Sequence, residues 1–336
     1  MSRYDVYGMG AALVDTEIEV DDAFLAAAAI EKSVMTLVDE SRQQELLALL
    51  EGHLVASRRA SGGSAANSVI ATSFFGGRAF YSCRVADDEN GRFYLADMGR
   101  AGVDTHARAA RPGDGVTGKC LVMITPDAER TMNTFLGISS TLDVDDLDPT
   151  ALAASRYLYI EGYLVTSPSA RAAAVRAREL AEQAGVRTAL SFSDPGIVAH
   201  FRSGLEEMLG AGIDLLFCNG AEALEWSGAG NIEQAAQALR RVARSFTITL
   251  GADGALVFDG RQYHRIAPYP VCAVDSNGAG DMFAGAYLYA ITRGQDAATA
   301  GALACRAAAE LVRHFGPRLP GPAHARILAE FDSARA

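Results

Sequence analysis

From Tyr157 onward, short apolar runs alternate with helical stretches, and that alternation restricts the fold more than any other feature of the chain. Strand-like runs at Tyr157–Ile160, Thr188–Phe192, Leu215–Cys218 and Phe246–Leu250 are separated by helical patterns over Ser169–Ala184, Arg202–Leu209, Glu222–Trp226 and Ile232–Ala243. Near-continuous apolar strands joined by helices form right-handed crossovers, so the pattern predicts an α/β fold with a parallel sheet covered on both faces. Ala255–Phe258 and Gln262–Ile266 flank Asp259-Gly260-Arg261, which reads as a hairpin. Helices over Ala279–Thr292, Ala297–Phe315 and around Ala323–Phe331 close the chain.

The first part of the chain reads differently. Tyr4–Met9 is a short strand, and Val14, Ile18 and Val20 then alternate with acidic residues, a period of two with one wet face. Ser33–Val38 reads as a similar strand, Glu40–Leu50 as an amphipathic helix, Ala60–Gly63 as a turn and Ala65–Phe75 as a helix. A strand at Ala79–Val85 and a helix at Gly91–Ala101 follow. Lys119–Thr125 and Thr131–Phe135 pair around the turn Pro126-Asp127-Ala128. Two-faced strands do not fit a buried parallel sheet. They predict a small separate β-layer, a lid formed by segments about 11–40 and 105–136, inserted into a single domain spanning 1–336.

Composition narrows the partners. A net charge of −11 without a basic run argues against nucleic acid and anionic membrane. The five cysteines are scattered, form no Cys-x-x-Cys and sit in apolar contexts, so they read as buried thiols in a reducing compartment. The histidines are isolated, which implies no zinc site. The N-terminus has no apolar signal core and no 18-residue apolar span occurs, so the expectation is a soluble cytoplasmic protein.

Residues 275–285, Asp-Ser-Asn-Gly-Ala-Gly-Asp-Met-Phe-Ala-Gly, carry the chemistry. A strand-like run, Tyr269–Val274, precedes them and the helical pattern from Met282 follows. Gly278-Ala279-Gly280 therefore falls where a loop becomes a helix, where backbone N–H groups and roughly half a positive charge face an anion. Asp281 adds a carboxylate in the first helical turn. Phosphate beside a proton-accepting carboxylate is the equipment for phosphoryl transfer to a hydroxyl. Alone, the segment also reads as a glycine turn capped by aspartate.

Two motifs fail. Gly8-Met9-Gly10 follows a strand, but Leu13 stands where a dinucleotide fingerprint needs its third glycine. Gly113 to Lys119 has P-loop spacing, yet Cys120 replaces the Ser/Thr that ligands Mg²⁺ and a strand follows in place of a helix. Two other motifs hold two readings each. Gly62-Gly63, opening a helix with Asn67 in its first turn, is a substrate contact or an ordinary turn. Asn219-x-x-Glu222, at a strand end, is a Mg²⁺-proximal pair or a helix capping box. Thr249-Leu250-Gly251 with Gly254, a strand end leading into a glycine turn, is a candidate to hold nucleotide phosphate or ribose.

Taken together in this order, Gly62-Gly63 with Asn67, Asn219-x-x-Glu222, Thr249-Leu250-Gly251 with Gly254, and Asp275 to Asp281 resemble the PfkB (ribokinase-like) family of small-molecule kinases along nearly the whole chain. The resemblance implies a Rossmann-like domain with a β-sheet lid, and transfer of the γ-phosphoryl group of Mg·ATP to a hydroxymethyl group. It assigns Asp281 as base and Gly278, Ala279 and Gly280 as anion hole. Asp15, Gly62, Gly63 and Asn67 become acceptor contacts; Asn219, Glu222, Thr249, Gly251 and Gly254 become nucleotide contacts. Asn219 and Glu222 would reach Mg²⁺ through water, and Asp275 and Asn277 a monovalent cation such as K⁺. Arg130 is the candidate lid arginine that meets phosphate, or else a solvated arginine. Ser64, where ribokinases carry Lys, and Asn277 are similar to the nucleoside-kinase form, which implies adenosine phosphorylated on its 5′-hydroxyl. Phe135 and Tyr163 are then aromatic surface for a base, or else core. A sugar kinase is the alternative, a non-catalytic nucleotide or sugar sensor the next, and a monomer or homodimer is expected.

Overall fold

Among the described residues nine strands form the main sheet, in the spatial order Tyr263–Ile266, Ala255–Phe258, Ala243–Thr249, Ile213–Asn219, Arg187–Ser191, Ser155–Glu161, Tyr4–Met9, Ala79–Ser82 and Val103–Asp104. The computed structural model describes residues 2–52, 58–105, 114–127 and 129–335. The part of the expected lid segment at 106–113, with Gly113 of the P-loop-like spacing, and Ala128 of the expected turn lie outside the described residues. All main-sheet pairings from Val103–Asp104 to Ala243–Thr249 are parallel, and the two strands beyond Ala243–Thr249 add antiparallel as the expected hairpin. Leu215, Leu216, Phe217 and Cys218 are buried in succession, as a strand covered on both faces requires.

One face of the sheet packs on helices Ser64–Phe74, Ala279–Thr292 and Ala297–Leu311, through Val69, Phe283, Tyr287 and Leu303 among others. The other packs on Pro168–Ala184, Arg202–Leu209, Gly220–Ser227 and Ile232–Leu239, through Ala174, Leu205, Trp226 and Leu239. Caps punctuate these helices where the sequence suggests. Ser167 and Pro168 start one that ends at Gly185 in the left-handed conformation. Among the described residues, no helix is long and apolar enough to cross a membrane.

The small sheet runs in the order Met35–Leu37, Arg130–Gly137, Thr117–Ile124, Leu13–Glu19 and Arg58–Gly62. Period-two alternation divides it. Ile18, Val20, Leu121 and Met123 pack under helices Asp22–Ala27 and Glu40–Leu49 with Leu25, Leu46 and Leu50. Leu13, Asp15, Val122, Met132, Thr134 and Leu136 face the other way, over the main domain.

Several local expectations change. Ala60–Gly63 is not a turn: residues 58–62 pair antiparallel with Leu13–Glu19, a ladder that overrides the low strand propensity of Ala-Ser-Gly. Tyr269–Val274 forms no strand, because Pro268 and Pro270 cannot continue a ladder. The short helices Asp22–Ala27, Pro149–Ala153 and Pro195–His200 were not read from the pattern, though Asp21, Asp148 and Asp194 cap them. Cys83, Cys120, Cys218 and Cys305 are buried as expected, but Cys272 is exposed.

Helix Ala279–Thr292 lies directly against helix Ser64–Phe74 because Gly285 lacks a side chain. A Cβ there would stand 2.4 Å from the Ser68 carbonyl oxygen and 2.7 Å from the Ala71 Cβ, and the Gly285 carbonyl accepts a 3.0 Å bond from Thr72 Oγ1. Gly285→Val should therefore force the helices apart, lowering stability by about 1–3 kcal/mol and turnover with it. Thermal unfolding and kcat measured on the same preparation check this; an unchanged Tm would refute the close contact.

Candidate active site

Asp281 sits in the first turn of helix Ala279–Thr292, and the neighbouring helix determines what its carboxylate can do. Oδ1 accepts a 2.6 Å bond from Ser64 Oγ and Oδ2 a 3.0 Å bond from Asn67 Nδ2. Burial raises its pKa to about 6, with those two bonds opposing the rise. The carboxylate borders a cavity of about 350 Å³ beneath the small sheet. Among the described residues Asn67 Oδ1 is buried without a hydrogen-bond partner, so the side chain that steadies Asp281 keeps an acceptor in reserve. Ser64 entered the sequence reading only as a replacement for lysine; its bond to Asp281 is a role that spacing could not reveal.

Gly278, Ala279 and Gly280 line the same cavity. Gly278 has φ of +74° and a Cβ there would lie 2.4 Å from the Pro317 carbonyl oxygen, so the turn requires glycine. A Cβ on Gly280 would meet no atom within 4 Å, which leaves its backbone open. Helix Ala279–Thr292 has no side-chain cap; its Ala279 N–H donates to the Ser276 carbonyl at 3.2 Å, and its dipole and first turn border the cavity.

Asp15 and Gly63 line the cavity as well. Gly62 lies behind Asp15: a Cβ at Gly62 would fall 2.2 Å from the Asp15 carboxyl, so glycine there makes room for the acid. Burial pushes Asp15 up to about 7, with Arg318 opposing and Glu17 and Asp281 adding to the rise. A third buried acid was missed from sequence. Glu161 accepts a 2.9 Å bond from the Ala65 amide and is raised to about 7, mainly by burial. A Cβ on Gly10 would stand 2.4 Å from its Oε2, so the glycine of the failed dinucleotide motif gives space to this carboxylate. Tyr163 lines the cavity from the 3₁₀ turn Gly162–Thr166. Phe135 does not. Met132, Thr134 and Leu136 face the cavity, and Phe135, one residue out of step with them, is on the opposite face of the small sheet. The aromatic surface expected from Phe135 is replaced by an apolar wall of Met35, Leu37, Val122, Met132 and Leu136.

Thr249, Gly251 and Gly254 lie on a second cavity, of about 540 Å³, which shares Thr249, Ser276, Ala279, Gly280 and Phe283 with the first. Its walls are the irregular segment around Pro268–Val271 and, from helix Ala297–Leu311, Cys305, Ala308 and Ala309. None of these wall residues was singled out from sequence; small apolar residues on a helix give no signal until the fold sets them across a gap. Asn219 and Glu222 border the first cavity and also form a complete capping box. Glu222 accepts bonds from Asn219 N (3.0 Å) and Nδ2 (2.7 Å), and burial raises it to about 7.

One expectation is corrected here. Arg130 lines neither cavity; its guanidinium is bonded to Asp275 and, at 3.3 Å, to Glu17. The Asp275 carboxylate also accepts the amides of Asn277 (3.0 Å) and Gly316 (2.8 Å). A monovalent cation at Asp275 and Asn277 would have to share this carboxylate with the Arg130 guanidinium. Among the described residues, no group of three or more His, Cys, Asp or Glu could hold a metal ion.

A parallel sheet with a small sheet over its strand ends, and two joined cavities between them, is the architecture of a ribokinase-like small-molecule kinase. The chain matches the pfkB family of carbohydrate kinases over residues 21–324 and belongs to that family. It is an ATP-dependent phosphotransferase of small molecules. It is similar to the crystal structure of an adenosine kinase from Sinorhizobium meliloti, at 32% identity and a TM-score of 0.89, covering 98% of this chain and 100% of that one. A probable sugar kinase from Rhizobium etli CFN 42 superposes with a TM-score of 0.90 at 30% identity, over 98% of this chain and 100% of that one. An adenosine kinase from Schizophyllum commune is 26% identical over 351 residues, 96% of this chain and 98% of the relative.

Asp15 gives a stability test of the site's electrostatics. Its folded pKa of about 7 lies above the usual carboxylate value, so the folded state binds a proton that the unfolded state has lost. Its contribution to stability is full at low pH and is lost as pH rises towards 7. Asp15→Asn should leave the Tm unchanged near pH 4 and raise it by several degrees at pH 8. Calorimetry at the two pH values checks this; equal Tm differences at both would refute it.

Proposed function

We propose that this kinase phosphorylates the 5′-hydroxyl of a purine nucleoside, adenosine foremost, with Asp281 as base. The observation that carries the catalytic part is the Asp281 carboxylate, held by Ser64 and Asn67 where the two cavities join at Gly280. ATP then occupies the cavity edged by Thr249, Gly251 and Gly254, with its base in the slot between Pro268–Val271 and Ala308, and its γ-phosphate towards Gly278, Ala279 and Gly280. The acceptor occupies the cavity under the small sheet, contacted by Asp15, Gly63, Asn67 and Tyr163.

Asp281 receives the hydroxyl proton as the oxygen attacks phosphorus. With a pKa raised to about 6 it is ionised at neutral pH and is a stronger base than an exposed aspartate. That suffices, because the alcohol becomes acidic only late in a loose transition state. The amides of Gly278 and Gly280 and the helix end, which no side chain caps, stabilise the charge on the transferring group. The small sheet excludes water, which would otherwise compete as phosphoryl acceptor. Mg²⁺ bound with the nucleotide would supply neutralisation of phosphate oxygen charge. Asn219 and Glu222 suit contact with its waters rather than a direct cage, because their polar atoms are already engaged in the capping box.

Nucleoside specificity is supported by the shape of the acceptor cavity. Its lid wall of Met35, Leu37, Val122, Met132 and Leu136 is mostly apolar, with Asp15 and Thr134 among it, and its floor of Asn67 and Glu161 is polar. A nucleoside matches both: a flat base against the wall, ribose hydroxyls on the floor. Asn67 Oδ1, buried without a partner, suits a ligand hydroxyl. A hydroxyl-rich sugar is the second reading, favoured by the third carboxylate, Glu161.

Asp281→Asn removes proton acceptance but keeps shape. Its kcat should fall by roughly 10²–10⁴ with ATP affinity largely kept. Wild-type kcat/KM should fall as pH drops below about 6, where Asp281 takes up its proton. Near-wild-type turnover in the variant would remove Asp281 from the mechanism.

Acceptor choice is tested by ATP turnover against a panel of nucleosides and sugars. Adenosine should exceed ribose and fructose in kcat/KM by on the order of a hundredfold, because sugars forfeit packing on the apolar wall. Met132→Ala should penalise adenosine far more than ribose, while Phe135→Ala should discriminate between neither. A sugar used as well as adenosine would move the assignment to the second reading.

A further inference from the structure

We propose that the Arg130 guanidinium is a built-in cation for the anion-binding loop, supplied to Asp275 by the small sheet, so that this kinase works without a monovalent metal ion and its loop is set only when the sheet is seated. The inference deepens the kinase reading above and rests on it for its kinetic part.

Asp275 opens the loop that leads into Gly278-Ala279-Gly280, and three of the roughly four acceptor directions of its carboxylate are engaged. Oδ1 takes the Asn277 amide at 3.0 Å; Oδ2 takes the Gly316 amide at 2.8 Å and the Arg130 guanidinium. The side chains of Arg130 and Asp275 are only 8% and 1% exposed, so this is a desolvated pair, little screened by salt. The other arm of the guanidinium reaches Glu17 Oε1 at 3.3 Å. Arg130 and Glu17 belong to two strands of the small sheet, Arg130–Gly137 and Leu13–Glu19. Asp275 and Gly316 belong to the main domain, and Glu17 also approaches it, since a Cβ on Gly316 would lie 3.3 Å from Glu17 Oε1. One arginine therefore ties two strands of the lid to the first residue of the loop.

A metal cation bound to Asp275 would have to sit beside the guanidinium that already shares its carboxylate. Here one oxygen already holds a full positive charge and the other a backbone N–H, so an added ion would meet the guanidinium at close quarters in a water-poor site. The arginine provides the same neutralisation covalently. It leaves only when the small sheet lifts, which turns a dissolved cofactor into a positional one. Arg130 is thus a positioning residue that acts on the anion loop through Asp275.

The test uses the full chain in buffers whose only added monovalent cation is K⁺, Na⁺ or tetramethylammonium, with two readouts: turnover of Mg·ATP and adenosine, and thermal unfolding without substrates. For the wild type, kcat/KM should agree within about twofold across the three salts, and Tm should be the same in each. Arg130→Gln should lose at least about tenfold in kcat in tetramethylammonium, recover severalfold on addition of K⁺ or guanidinium, and show a Tm that K⁺ raises. Arg130→Lys, which keeps the charge, should stay indifferent to K⁺, and it carries the test if Arg130→Gln does not fold. The proposal is overturned by a tenfold K⁺ stimulation of the wild type, by a K⁺-specific rise in its Tm, or by an Arg130→Gln defect that no cation relieves. If no acceptor is phosphorylated in any salt, the kinase reading fails separately, and the Tm comparison still decides this one.

Discussion

The contact between helices Ser64–Phe74 and Ala279–Thr292 is the constraint on which the candidate site depends. Gly285 lets the two backbones approach so closely that a single Cβ would collide with Ser68 and Ala71. That approach brings Ser64 and Asn67, at the start of one helix, within hydrogen-bond reach of Asp281 at the start of the other. Both helices pack on the same face of the main sheet, so both N-termini open at the same place. The pair of hydrogen bonds holds the Asp281 carboxylate in one orientation. Burial at the same place raises its pKa to about 6, which makes it both ionised at neutral pH and more basic.

The small sheet serves the site through alternation alone. Its odd and even positions separate a private core, Ile18, Leu121 and Met123 with helix residues Leu25 and Leu46, from a cavity-facing set that includes Asp15, Val122, Met132 and Leu136. A lid that carries its own core can move as a unit, and that is what a water-excluding cover needs. The concentration of raised carboxylates under it, Asp15, Glu161 and Asp281, marks a place where folding stability is given up for chemistry. Arg130 and Asp275 hold the lid to the loop by a desolvated charge pair, which gives the cover a defined seated position.

Much was legible in the order of residues. The alternation of apolar strands and helices dictates a parallel sheet, because strands covered on both faces must be apolar throughout and must be joined by crossovers. The period-two acidic segment at 13–21 identifies a second, half-wet sheet. Glycines followed by Asp281 place an anion-facing helix start locally, and Asn219 with Glu222 encodes its capping box within four consecutive residues. These features depend on neighbours along the chain, so sequence alone determines them.

What the tertiary structure decided are the meetings between distant segments. Which face of residues 130–137 lines the cavity is a matter of register, and register removed Phe135 and admitted Met132. Residues 58–62 became a strand because Leu13–Glu19 lay beside them, not because of their own propensity. Glu161, Ser64 and the wall at Ala308 and Ala309 carry no local signature; they matter because the fold sets them across a gap from other residues. Arg130 and Asp275 are separated by 145 positions, and only their contact decides that the loop's counter-charge comes from the lid. Propensity and periodicity act over a few residues, whereas burial, desolvation and charge pairing depend on what packs alongside. Sequence therefore determined the elements and the chemistry at hand, and the structure determined which groups meet.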